Sequence, residues 1–107
     1  MPTAFFLARL RPGVPPESYE RWVNAMDYPT SAGLKSIVRY RNHRIRGPFR
    51  GDVEPLCQYL EVIDFTSLDD YRRDLETPAA LEMRRQLGEF ILPSTSMWGE
   101  VIEPGVG

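Results

Sequence analysis

The stretch Leu56-Cys57-Gln58-Tyr59-Leu60-Glu61-Val62-Ile63-Asp64-Phe65, followed at once by Thr66-Ser67-Leu68-Asp69-Asp70-Tyr71, decides the fold. Its first part is rich in β-branched and aromatic side chains and reads as a strand over 56–65. Thr66-Ser67 then offers an N-cap, and Asp69 and Asp70 fall in the first turn, where the helix dipole favours negative charge. Leu68, Tyr71 and Leu75 recur at helical spacing. A strand thus passes into a helix with almost no linker.

Downstream, Thr77-Pro78 opens a further helical stretch with apolar positions Leu81, Met83, Leu87, Phe90 and Ile91, and Pro93 stops it. Residues 96–103 read as a last strand. Upstream, residues 36–46 read as a strand that a Gly/Pro-rich loop with Gly47, Pro48, Gly51 and Pro55 joins to the central one. Residues 3–11 read as a first strand, ended by Pro12-Gly13. Between these two lies a helix that starts near Pro16 and carries Tyr19, Trp22, Val23 and Met26 on one side. Asp27-Tyr28-Pro29 is expected to end it, because a residue before proline is pushed out of the α region. Thr30 to Leu34 is then a loop. The order β-α-β-β-α-β predicts a single α+β, ferredoxin-like domain over 1–107, a four-stranded antiparallel sheet with helices on one face.

Strand parity adds a consequence. Phe5 and Leu7 lie on one parity of the first strand, and Phe6, Ala8 and Leu10 on the other. In the central strand Leu60 and Val62 oppose Tyr59, Ile63 and Phe65. Opposite parities point to opposite faces, so both faces of the sheet are apolar. Helices cover only one, and an exposed apolar sheet calls for a partner. A second copy packed sheet to sheet by two-fold symmetry is the simplest one, so a homodimer is expected.

Composition removes several function classes. With 13 basic against 15 acidic residues the net charge is −2, which gives no general attraction to nucleic acid. The apolar runs are too short to cross a bilayer, and no basic leader followed by an apolar run precedes them. The expected compartment is the cytoplasm. One Cys and one His cannot build a disulfide or a structural zinc site, so no metal is expected. Gly-rich phosphate loops, Rossmann fingerprints and G-x-S-x-G are absent, so no cofactor is expected either. An enzyme with this sequence has general acid–base catalysis and confinement of a reactive substrate to work with.

His43 is the one side chain that ordinarily titrates near neutrality, and its strand sets it on the face of Arg39 and Arg41. It is the first catalytic candidate, beside the bland reading of a surface or interface histidine. Asp27 and Tyr28 are candidates to orient an imidazole or to move a proton, beside the bland reading of a helix-ending turn. Trp22, Tyr40 and Tyr59 offer flat walls for an aromatic ligand, and Arg41 a contact for an anionic group; packing accounts for the same residues.

The runs Tyr19-Glu20-Arg21-Trp22-Val23, Asp27-Tyr28-Pro29, Leu34-Lys35-Ser36-Ile37-Val38 and Asn42-His43-Arg44 resemble the RedY-like proteins of the dimeric α+β barrel superfamily. Asp64-Phe65-Thr66-Ser67-Leu68-Asp69-Asp70-Tyr71 is similar to the wider superfamily. The resemblance implies two protomers packing their sheets into a barrel, each with a pocket between sheet and helices. It also implies cofactor-free dehydration, isomerisation or cyclisation of a reactive aromatic or conjugated intermediate, as in prodigiosin and bisindole pigment pathways. His43 is then the acid–base group, with Asp27 and Tyr28 as helpers. A non-catalytic binding or carrier dimer and a cofactor-independent monooxygenase are the two competing functions.

Overall fold

In the computed structural model, which describes residues 1–107, the strands are β1 (Pro2–Ala8), β2 (Ile37–Arg44), β3 (Tyr59–Phe65) and β4 (Thr95–Glu100). They form one antiparallel sheet in the order β2-β3-β1-β4. The helices are α1 (Pro16–Trp22), α2 (Tyr28–Ala32), α3 (Leu68–Asp74) and α4 (Pro78–Phe90), and they pack on one face of that sheet. This is the expected ferredoxin-like α+β arrangement, with α1 and α2 in the first crossover and α3 and α4 in the second.

Local signals place most of these elements. Ser67 caps α3, its hydroxyl accepting a hydrogen bond from the Asp70 N–H at 3.2 Å. Pro16 and Pro78 stand at the first positions of α1 and α4, where a missing N–H costs nothing.

The strands are shorter than expected: β1 stops at Ala8 rather than at residue 11, β2 covers 37–44 rather than 36–46, β3 starts at Tyr59 rather than at residue 56, and β4 stops at Glu100 rather than at residue 103. One helix boundary differs as well. The first helix does not end at Asp27-Tyr28-Pro29; a π-helical turn, Val23–Asp27, carries it on into α2. There the Tyr28 N–H reaches back five residues to the Val23 carbonyl. The widened turn makes room for the Pro29 ring, which would otherwise clash with the preceding turn. So Thr30, Ser31 and Ala32 are helical rather than loop. The extra residue in that turn leaves Asp27 pointing inward, 3% exposed.

Register fixes the two faces. Tyr59, Glu61, Ile63 and Phe65 of β3 face the helices and are buried. Their neighbours on β1 are Ala4, Phe6 and Ala8, and on β2 Ile37, Tyr40, Asn42 and Arg44. An irregularity between Ile37 and Arg39 shifts the β2 register by one residue, which brings Tyr40 opposite Ile63 on the helix side. The other face carries Phe5, Leu7, Leu60 and Val62, with Met97 beside Phe5, and no element covers it.

The core divides in two. Ala8, Tyr19, Val23, Tyr59 and Ile91 pack at one end, and Ala4, Ile63, Phe65 and Tyr71 at the other. On β3 the residue between Tyr59 and Ile63 on the inward face is Glu61, a carboxyl in an apolar row and only 6% exposed.

Candidate functional site

Between the sheet and the helices lies a cavity of about 230 Å³. Phe6, Ile37, Ile63, Leu75, Met83 and Leu87 make most of its apolar wall. Asp27, Tyr40 and Glu61 supply its polar part, and Arg84 and Ser94 also line it. A volume this small suits a molecule of one or two rings; pockets for drug-sized ligands run to roughly 300–1,000 Å³.

Three elements bring the polar group together. The π-helical turn supplies Asp27, β2 supplies Tyr40 and β3 supplies Glu61. The Tyr40 phenol lies 2.7 Å from Asp27 Oδ2, and its hydroxyl also contacts Glu61 Oε1. Ser31, one turn on from Asp27, donates to Asp27 Oδ1 at 3.4 Å. No arginine or lysine pairs with either carboxyl.

Counting protons makes this arrangement informative. A phenol has one proton and donates to one acceptor. Satisfying both contacts therefore takes a second proton, carried by Asp27 or Glu61 and donated back to the phenol oxygen. Burial raises both carboxyls. Glu61 is pushed up to about 7, chiefly by burial and further by the Asp27 charge, with the Tyr40 hydrogen bond opposing. Asp27 is raised by burial, against its hydrogen bonds to Tyr40 and Ser31. Burial and the two carboxyls hold the Tyr40 phenol far above its ordinary range, so it stays protonated. Glu61 is thereby placed near neutrality, the condition in which a group can both take and return a proton, and Asp27 is shifted in the same direction beside it.

The residues singled out from sequence are dispersed around this cavity. Asp27 and Tyr40 line it. Tyr28 stands just outside, edge-on to Tyr40 with ring centroids 5.1 Å apart, its hydroxyl accepting the Asn42 N–H at 3.1 Å. Trp22 packs against Phe90 with centroids 5.4 Å apart and donates from Nε1 to Gln86 at 2.8 Å. The Tyr59 hydroxyl donates to Glu20 at 2.7 Å in a second, polar pocket of about 170 Å³. His43 and Arg41 are exposed on the opposite face of the sheet, aligned with Leu60 and Val62. The sheet separates His43 from Asp27, and the His43 Nδ1 contact is with the Leu60 carbonyl at 3.1 Å.

Glu61 is the site residue that sequence reasoning missed, although its signal was present. It shares parity with Tyr59, Ile63 and Phe65, so period-two alternation puts it on a buried face. A carboxyl there is costly unless protonated or well partnered, which marks it as a candidate.

A ferredoxin-like α+β sheet with an acid-lined apolar cavity beneath its helices defines the class of protein. The chain belongs to the REDY-like HapK family, whose model matches residues 2–102. Its structure is similar to that of HapK from Hahella chejuensis, with a TM-score of 0.82 and 25% identity over 100% of this chain and 98% of that one. It also resembles a dimeric protein of ferredoxin-like fold from Bacteroides fragilis, with a TM-score of 0.69 and 17% identity over 94% and 95% of the two chains. SnoaB from Streptomyces nogalater, a cofactor-independent oxygenase, superposes with a TM-score of 0.69 and 19% identity over 96% and 95% of the two chains. A search of curated proteins finds no match. No helix is long and apolar enough to cross a membrane.

Proposed function

We propose that the protein is a homodimeric acid–base enzyme for a small aromatic or conjugated molecule. The substrate sits in the cavity between sheet and helices, and the Asp27–Tyr40–Glu61 chain moves its proton in a dehydration, isomerisation or cyclisation. The observation that carries this reading is one phenol shared by two buried carboxyls on the wall of an apolar cavity.

In this reading Glu61 as carboxylate takes a proton from an acidic carbon of the substrate. Tyr40 donates its hydrogen bond to the oxygen on which negative charge develops, and the carboxylic acid then returns the proton at another position or to a leaving hydroxyl. Asp27 holds the phenol in place and keeps the second proton within the chain. The apolar walls exclude the water that would quench a reactive intermediate. Every proton removed is returned within these three side chains, and no cofactor enters the step. The acid–base role expected for His43 passes to Glu61, because His43 lies across the sheet. Two features support the homodimer: the uncovered apolar row of Phe5, Leu7, Leu60, Val62 and Met97, and the dimeric relative of the same fold. Burying such side chains yields about 1.5–3 kcal/mol each, ample for a stable pair.

The test is hydrogen exchange into uncharged enolisable ketones on one or two rings, 1-tetralone among them, followed by proton NMR in D2O. The expected result is exchange faster than with free carboxylate buffer, lost on Glu61→Gln. Binding of these ketones without exchange would support the carrier reading instead. Light scattering at micromolar concentration decides the dimer, and a mass of one chain would refute it.

A further inference from the structure

The proposed acid–base cavity has a charge polarity that fixes which end of a ligand enters first. Its inner wall carries Asp27 and Glu61, both buried; its only cation is Arg84. The two adjacent arginines of α4 differ sharply. Arg85 is held by Glu82 at 2.8 Å and by Glu89 at 3.1 Å. Arg84 has no carboxylate partner, and its one hydrogen bond is a long one, 3.3 Å, from a guanidinium nitrogen to the Leu75 carbonyl. A guanidinium has five N–H donors in a fork that matches a carboxylate. Most of that fork is unused at a position that is solvent-exposed on one side and part of the cavity lining on the other. Ser94, in the segment leading to β4, lines the same cavity and adds a hydroxyl donor. Tyr71 feels both poles: burial and the Glu61 and Asp27 charges raise its phenol, and Arg84 counters them.

We propose that Arg84 anchors a carboxylate, so that the cavity selects ring-bearing monocarboxylic acids bound with the acid group at the mouth and the uncharged conjugated end inside. An anion turned the other way would meet the Asp27–Glu61 pair, which is negative whenever either carboxyl is ionised. A cationic ligand would have to pass Arg84. A neutral ligand leaves the guanidinium without a new partner.

The inference shares the cavity of the acid–base reading but is tested separately, by calorimetric binding of 1-naphthoate and its uncharged isostere 1-naphthamide to the full chain. The native protein should bind naphthoate about tenfold or more tighter, the scale of a charge-assisted hydrogen-bond pair. Arg84→Gln should bring the two ligands to within about twofold, and Arg84→Lys should restore part of the preference, a point charge lacking the fork. Circular dichroism melting checks that each variant is folded. Equal affinities in the native protein, a preference that survives Arg84→Gln, or no binding of either ligand up to millimolar concentration would each overturn the proposal. Carboxylate preference without ketone exchange would sink the acid–base reading alone; exchange without the preference would sink this one alone.

Discussion

Two tyrosine–carboxyl pairs sit on the same face of the same sheet, and they behave oppositely. At the rim, the Tyr59 hydroxyl donates to Glu20, and Arg44 pairs with the same carboxylate. Those hydrogen bonds, from Arg44 first and then Tyr59, hold Glu20 down at about 2. In the cavity, Tyr40 meets Glu61, but the third member is Asp27, a second carboxyl, and burial raises Glu61 to about 7. One phenol and one carboxyl thus give a carboxylate held charged or a carboxyl raised toward neutrality, according to the third residue and the depth of burial. Residue types alone do not separate the two clusters; depth of burial does first, and then the sign of the nearest charge.

The strongest way to break this contrast is Glu61→Gln, which keeps shape and removes the titrating proton. Ketone exchange should fall by about 100-fold or more, the usual scale for a lost general acid–base. An unchanged rate would assign the chemistry elsewhere. Tyr40→Phe removes the bridge but leaves both carboxyls. Exchange should drop by roughly tenfold, and the midpoint of its pH–rate profile should move, because the two carboxyls no longer share a donor. A drop with an unmoved midpoint would make Tyr40 a packing residue only.

Stability against pH sharpens the comparison further. Glu61 binds its proton more tightly in the folded protein than in the unfolded chain, from the ordinary value of 4.5 up to about 7. Its contribution is therefore full below pH 4.5 and is lost as the pH rises through 7. Glu20 has the opposite sign: its contribution is present above 4.5 and is lost as the pH falls toward 2. Thermal melts should show a decline of several degrees between about pH 4.5 and 7, since roughly 1 kcal/mol shifts such a domain by about 4–8 °C. Glu61→Gln should shrink that decline to the part contributed by Asp27, which burial raises in the same direction, and leave the acid limb intact. A decline of undiminished size would show that Glu61 is not the group responsible.

The remaining effects are small. Glu20→Gln should lower the melting temperature by a few degrees at most and leave exchange within about twofold, as a partly exposed ion pair does. His43→Ala should leave exchange within about threefold. A loss as large as that of Glu61→Gln would transfer the chemistry to the open sheet face.

Much of the fold was legible because it is written in local signals. The Ser67 cap, Pro16, Pro78 and the alternation in β3 each act over a few residues, and each is found where expected. The end of the first helix was not legible. Pro29 is a sound stop signal for an α-helix, but packing of Val23 and Asp27 against the sheet retains a π-helical turn that tolerates it. The site was half legible. Asp27 and Tyr40 were named from their type. His43 drew attention for its ordinary titration range, whereas the group that titrates near neutrality in the cavity is a glutamate shifted there by burial.

By itself, then, the sequence determined the β-α-β-β-α-β order, the two apolar sheet faces and the membership of Asp27 and Tyr40 in a set of polar candidates, because periodicity and capping are properties of neighbouring residues. Only the tertiary structure decided that Asp27, Tyr40 and Glu61 meet in one cavity while His43 stands across the sheet. That depends on depth of burial and on charges brought together from a helical turn and two strands, and neither is encoded within any single segment.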